Sequence, residues 1–152
     1  MSHRCLVSVV MPVYNAGKYL VEAIESILNQ SLADFEFIII NDGSTDRTPA
    51  ILDYYRSHDK RITVYHQNNQ GVVAALNLGC RVASGKYIAR MDADDISLPF
   101  RFEKQVSYLE KNVDVGVLGT WIEYIDGKGR NVGHWYTPVT AGGTRWALLL
   151  GN

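Results

Sequence analysis

The sequence predicts an α/β fold with a mostly parallel central sheet flanked by helices. Three observations carry that prediction. Short, β-branched, nearly continuous apolar runs recur along the chain, as expected of strands buried on both faces. Segments of helical periodicity alternate with them, which favours parallel strands joined by right-handed crossovers. Acidic turns follow two of the runs, at the sheet edge where open α/β folds bind ligands.

The elements can be justified in order. Leu6-Val7-Ser8-Val9-Val10-Met11-Pro12-Val13 reads as a buried first strand. Leu20, Ala23, Ile24, Ile27 and Leu28 share one face of an amphipathic helix. Phe35 to Ile40 is the second strand. Thr48 and Pro49 suggest an N-cap and a first helical position, for a helix carrying Ile51, Leu52 and Tyr55 inward. Arg61 to Tyr65 is the third strand. Val72, Ala75, Leu76, Gly79 and Ala83 mark a third helical face, stopped by Ser84-Gly85. Lys86 to Arg90 is the fourth strand, followed by a helix from about Ser97 to Lys111. The pattern changes after Val115. Val115 to Gly119 reads as strand, and Trp121 to Ile125 continues extended. Asp126-Gly127-Lys128-Gly129 forms a small hairpin turn, and Asn131 to Tyr136 returns. Ala141 to Leu150 begins a further helix. With no repeat or linker, residues 1–152 read as a single domain.

Composition narrows the function classes. A chain of 152 residues, 47% apolar and 20% charged, can bury a real core. Its net charge of −1 gives no electrostatic case for nucleic acid. No stretch reaches the apolar length of a membrane span. Met1-Ser2-His3-Arg4 has no signal-peptide pattern, so a cytoplasmic location is expected. Cys5 and Cys80 read as two buried thiols in a reducing compartment. His3, His58, His66 and His134 form no zinc-type cluster.

The chemistry concentrates in the two acidic turns. In Asp92-Ala93-Asp94, alternation along an extended chain puts two carboxylates on one side. Such hard oxygen donors suit Mg²⁺ or Mn²⁺ bridging to a phosphate. Asp95 points elsewhere unless a turn redirects it. A capping role at the following helix would need one acid, whereas three in four residues repel one another. Asp42, in Asn41-Asp42-Gly43-Ser44-Thr45-Asp46, can either accept hydrogen bonds from a ribose or base or hold its own turn. Asp46 reads as structural. Tyr14, in Pro12-Val13-Tyr14-Asn15, can stack on a base or cover the sheet edge. The first βα turn has neither GxGxxG nor GxxxxGK[ST], which argues against dinucleotide and P-loop sites.

Pro12-Val13-Tyr14-Asn15, Asn41 to Asp46, Asn69-Gln70-Gly71 and Asp92-Ala93-Asp94-Asp95 closely resemble the family 2 glycosyltransferases. Leu98-Pro99, Arg101 and Gln105 resemble the segment that follows. The likeness covers about residues 5 to 120 and carries the motifs in the family's order. It implies a GT-A, Rossmann-like fold with a DxD motif, and a role in building saccharides or polysaccharides. It implies a nucleotide-sugar donor, UDP-linked by preference, and a saccharide or lipid-linked acceptor. Carried over by position, Pro12, Tyr14 and Asn15 border the nucleobase and Asp42 contacts it. Asp92 and Ala93 meet the ribose, Asp94 and Asp95 hold Mn²⁺ or Mg²⁺, and Gly71 lies near the nucleotide. Arg90 either approaches the diphosphate or pairs with the nearby acids.

Two departures from the family pattern stand out. Ala75-Leu76-Asn77 replaces the common Ala-Arg-Asn, which removes one phosphate contact and leaves Asn77 in the nucleotide-binding set. The family's later acidic motif, source of the general base, has no counterpart from Trp121 to Asn152. Glu123 and Asp126, the acids of that stretch, do not match it. The base is therefore expected beyond Asn152, in a longer enzyme of which this chain is the donor-binding part. Trp135, Trp146 and the apolar C-terminal run then favour a missing subdomain or a homodimer. The leading expectation is a metal-dependent inverting glycosyltransferase. The alternatives are a non-catalytic nucleotide-binding module and a sugar-nucleotidyltransferase, the latter lacking its usual Gly-rich basic first loop.

Overall fold

The computed structural model describes residues 4–136. In order they form β1 (Val7–Val13), α1 (Leu20–Leu28), β2 (Phe35–Asp42), α2 (Thr48–His58), β3 (Ile62–Gln67), α3 (Val72–Val82), β4 (Tyr87–Arg90), α4 (Arg101–Lys111), β5 (Ile122–Ile125) and β6 (Asn131–Trp135). β1 to β4 make a four-stranded sheet in the order β3-β2-β1-β4, with every pairing parallel. β5 and β6 pair antiparallel as a separate hairpin. The chain divides into two compact units between Glu110 and Lys111.

The strand period of two sorts the core into two layers. Val7, Val9, Met11 and Val13 of β1 join Phe35, Phe37 and Ile39 of β2 on one face. Leu20, Ala23, Ile24 and Ile27 of α1, Leu52 of α2, and Phe102 and Val106 of α4 complete that layer. Ile38 and Ile40 face the other way, toward Ala75 of α3. α3 packs so closely there that a Cβ on Gly79 would lie 2.3 Å from Val10 Cγ1. The strand order places the connection from β3 to β4 across β1, so the chain reverses direction at β1. That reversal opens a crevice at the carboxyl ends of β1 and β4.

Where the strands begin, a polar knot fastens the turn before β4. Glu36 Oε1 accepts hydrogen bonds from Ser8 Oγ (2.5 Å), Ser84 N–H (2.7 Å) and Ser84 Oγ (2.9 Å). Gly85 N–H donates to Ser8 Oγ at 2.8 Å. Burial pushes the Glu36 carboxyl up, but the hydrogen bonds from Ser8 and Ser84 outweigh it and hold the group below its usual value of 4.5. A depressed folded value contributes stability above the unfolded value, and that contribution is lost as pH falls through the folded one. Glu36→Gln is therefore expected to lower the melting temperature at pH 7 and to flatten its fall below about pH 4.5. Thermal melts at stepped pH measure both effects.

Several expectations need correction. α4 starts at Arg101, not near Ser97. Pro99 biases Leu98 toward extended backbone, which delays the helix. Val115 to Gly119 forms no strand. The run is apolar enough, but no ladder partner reaches it among the described residues, and Val117 stays exposed. Cys80 is exposed and Cys5 half-buried, because position 80 falls on the outer face of α3. Val72 is also exposed rather than turned into the core. Thr48 begins α2 without capping it: its backbone N–H donates to Asp46 Oδ1 at 2.9 Å, and its own buried hydroxyl finds no partner among the described residues. In the hairpin, Trp135 is exposed. Trp146 and the expected helix from Ala141 to Leu150 lie outside the described residues. Among the described residues no helix is long and apolar enough to cross a membrane.

Candidate donor site

A cavity of about 390 Å³ opens at the carboxyl ends of β1, β2 and β4. Pro12, Tyr14 and Asn15 line it from the end of β1 and the loop after it. Asp42 lines it from the end of β2, and Asp92, Ala93 and Asp94 line it from the turn after β4. These seven sequence-derived candidates are brought together although they lie up to 82 positions apart in the chain, from Pro12 to Asp94.

Asp42 sits at the bottom of one wall and is only 3% exposed. Its Oδ1 accepts from Gln67 Nε2 at 2.7 Å and from Gln70 N–H at 2.8 Å. Its Oδ2 accepts from Gly71 N–H at 2.8 Å. Burial raises the carboxyl, and the bonds from Gln67, Gln70 and Gly71 outweigh it, so Asp42 stays ionised below the usual carboxylate range. A carboxylate offers about four lone-pair directions, so three bonds leave room for one from a ligand. Asp42 does not hold its own turn. Asn41 does that, its Oδ1 accepting from Ser44 N–H at 3.0 Å.

The first two loops are laced together. Asn15 has φ of +49°, a left-handed conformation that asparagine tolerates better than most residues. Its N–H donates to Ser44 Oγ at 3.0 Å, and its Oδ1 accepts from Thr45 N–H at 2.8 Å. Asp46 Oδ2 accepts from Gly17 N–H at 3.0 Å, and Arg47 Nε donates to Gly17 O at 2.8 Å. Gly43, at φ +75°, lets the backbone of Asn69 pass where a Cβ would lie 2.8 Å from its nitrogen. Tyr14, half exposed, stands on this braced loop with its ring free to meet a flat ligand.

The acidic turn forms the opposite wall. Asp92 pairs with Arg90, whose Nη2 lies 2.7 Å and 2.8 Å from its two oxygens. Arg90 is thus paired with the neighbouring acid. Asp95 N–H donates to Asp92 O at 3.3 Å, so the chain turns here instead of running extended. Burial, then the charges of Asp92 and Asp94, raise the Asp95 carboxyl, while Arg101 and Arg90 act the other way. Negative charge in the turn is thus not fully balanced. Among the described residues no group of three or more His, Cys, Asp or Glu converges to hold a metal on its own. Mg²⁺ commonly needs only one or two carboxylates when phosphate oxygens and water complete its shell.

Gly71, Asn77, Arg90 and Asp95 do not line the cavity. Gly71 reaches it indirectly, through its bond to Asp42. Asn77 lies exposed on α3, where its position along the helix turns it outward. Tyr19, Val72 and Ala75 line the cavity without having been singled out for it. Helical periodicity had assigned Val72 and Ala75 to the core, and no local signal marks Tyr19. In the hairpin, Asp126 is committed to its own turn, accepting from Lys128 N–H and Arg130 N–H. Glu123 lies 3.8 Å from His134.

Comparison with known proteins gives a consistent likeness. The family described as Glycosyl transferase family 2 matches residues 8–149. An uncharacterized glycosyltransferase of Haemophilus influenzae is 48% identical over 126 residues, covering 82% of this chain and 39% of that protein. S. aureus TarS 1–349, solved in complex with UDP-GlcNAc, superposes with a TM-score of 0.66 at 26% identity, covering 71% of this chain and 32% of that one. Mannosyltransferase PcManGT from Pyrobaculum calidifontis, solved in complex with GDP-Man and Mn²⁺, gives a TM-score of 0.57 at 26% identity, covering 62% and 29%. The chain thus spans about two fifths of the length of the curated relative and about a third of these solved structures.

Proposed function

The chain belongs to glycosyl transferase family 2, and from that premise we propose that it is the donor-binding part of a metal-dependent, inverting glycosyltransferase. The donor is a nucleoside-diphosphate sugar, with UDP favoured. The acceptor is a saccharide or a lipid-linked saccharide. The observation that carries this reading is the single cavity wall-to-wall between Asp42 and Asp94. It offers a buried hydrogen-bond acceptor on one side and hard oxygen donors on the other.

The chemistry of these residues follows. Tyr14 and Pro12 flank the base, and Asp42 accepts a hydrogen bond from its N–H edge or from the ribose. Asp94 and Asp95 would hold the divalent cation, with the diphosphate oxygens completing its shell. When bound there, it would supply Lewis-acid neutralisation of the charge that builds on the leaving diphosphate. The anomeric carbon passes through an oxocarbenium-like state as the bond to the diphosphate breaks. An acceptor hydroxyl attacks from the opposite face, so configuration inverts, and a carboxylate base takes its proton. Asp126 is already bound within its turn and is not that base.

Two of the solved structures that this chain resembles carry UDP-GlcNAc, or GDP-Man with Mn²⁺, which supports a nucleotide-sugar reading without choosing the base. Calorimetric titration of UDP, GDP and dTDP, each with and without Mn²⁺, tests the proposal. UDP binding that requires Mn²⁺ is expected. Folded protein that binds none of the three would sink the donor-site reading and favour a non-catalytic module.

A further inference from the structure

We infer that Gln30 is a positioning residue for the acidic turn, acting at a distance from the cavity through the segment that follows α1 and the segment that precedes α4. This rests on the reading above that the turn holds the donor's cation. Gln30 lies just past the end of α1, is 6% exposed, and does not line the cavity.

Its amide is fully engaged. Nε2 donates to Leu98 O at 2.8 Å and Ser26 O at 3.0 Å, with Ser97 Oγ at 3.2 Å alongside. Oε1 accepts from Phe102 N–H at 3.2 Å. The orientation is determined by chemistry, since two carbonyls can only accept and the Phe102 N–H can only donate. Neighbouring bonds add to the same seam. Ser97 N–H donates to Ser26 Oγ at 3.0 Å, and Ser31 N–H donates to Pro99 O at 2.9 Å.

The partners explain why an amide sits in this buried place. Leu98 precedes a proline, which biases it away from helical backbone, and α4 starts only at Arg101, so the Phe102 N–H turns to Gln30 Oε1 and not to a carbonyl of its own helix. That N–H needs a partner, and an apolar residue at position 30 would leave it buried and unmet, while Leu98 O would keep only the Arg101 N–H at 3.0 Å. Gln30 meets a carbonyl and an N–H at once.

The consequence falls on Asp92 to Ile96. At one end, Met91 N–H bonds Val10 O at 3.1 Å, and Arg101 Nη2 bonds Arg90 O at 2.9 Å. At the other end Ser97 is fixed by Ser26 and Gln30. The acidic turn is a short span between two anchored points. Releasing the Ser97 end lets Asp94 and Asp95 drift, and metal sites lose affinity when the groups that orient their ligands are removed.

The test compares Gln30→Met, which keeps volume and removes the hydrogen bonds, with Val106→Ala, a core change on the same α4. Three quantities are read: melting temperature, Mn²⁺-dependent UDP affinity, and amide hydrogen exchange at Asp95 and Ser97. Gln30→Met is expected to weaken Mn²⁺-dependent UDP binding roughly 10- to 100-fold and to speed exchange at both amides. Val106→Ala is expected to lower the melting temperature while leaving affinity and those amides unchanged. Equal behaviour of the two variants in both readouts overturns the inference. If Gln30→Met does not fold, Ser26→Ala removes one bond of the seam and must shift the same two readouts in the same direction. A wild-type chain with no Mn²⁺-dependent UDP binding sinks the donor reading instead. In that case the exchange data alone decide positioning: faster exchange confined to the Gln30 variant supports it, and unchanged exchange overturns it.

Discussion

Asp94→Ala is expected to remove the metal-dependent part of UDP binding, a loss of about 100-fold, or about 2.7 kcal/mol. Its melting temperature should stay within about a degree of the parent, because Asp94 is exposed and among the described residues no side-chain hydrogen bond ties it to the fold. Asp42→Ala should behave in the opposite way. It strips acceptors from Gln67, Gln70 and Gly71, and the loop they belong to is expected to loosen. Hydrogen bonds to a charged group contribute about 1.5 to 3 kcal/mol each when one partner is lost from a buried place. Loss of binding here should therefore come with a clear loss of stability, which Asp94→Ala should not show. Calorimetry and thermal melts on the two variants separate the roles. An Asp94→Ala protein that keeps Mn²⁺-dependent binding would remove the acidic turn from the proposed mechanism.

The largest effect on folding is expected from Gly85→Ala. A Cβ there would lie 2.5 Å from Ser8 N and 2.8 Å from the Val7 carbonyl carbon. Both atoms are backbone of the central strand β1, paired on each side, so neither can move aside cheaply. Overpacking of this kind costs about 3 kcal/mol, which corresponds to a melting temperature lower by roughly 10 °C. The nearest atoms to a Cβ at Gly79 are side-chain atoms of Val10 and Ile40, not backbone, so Gly79→Ala should cost less. A melting temperature for Gly85→Ala within a degree or two of the parent would mean that the turn before β4 is not packed against β1 as described.

Gly85 also illustrates how far local reading reached. The sequence marked it as a helix stop, and α3 does end just before it. The reason differs from the expected one. Ala83 leaves the helix in extended conformation, and Gly85 is required by its close approach to β1, not by a left-handed turn. The acidic turn was legible because three acids in four residues directly after a strand are a local signal; Asp92 and Asp94 do line one cavity, but on a turn and not by the alternation expected of an extended chain. The cap of α2 was misassigned to Thr48: the helix starts one residue earlier than that reading allows, with Arg47 at the N-cap position and the Thr48 N–H donating to Asp46 Oδ1 at 2.9 Å. Val115 to Gly119 failed as a strand because a strand needs a partner, which its own residues do not supply.

By itself the sequence determined the alternation of strand and helix, the parallel sheet and the family, because periodicity and motif order are carried by neighbouring residues. Which partner each polar side chain takes was decided only by the tertiary structure. Asp42 bonds residues from 67 to 71, Glu36 bonds Ser84, and Gln30 bonds residues 97 to 102. Those bonds join residues from 25 to 72 positions apart. A hydrogen bond requires its atoms within about 3 Å, and chain separation of that order says nothing about proximity until the sheet and helices have packed.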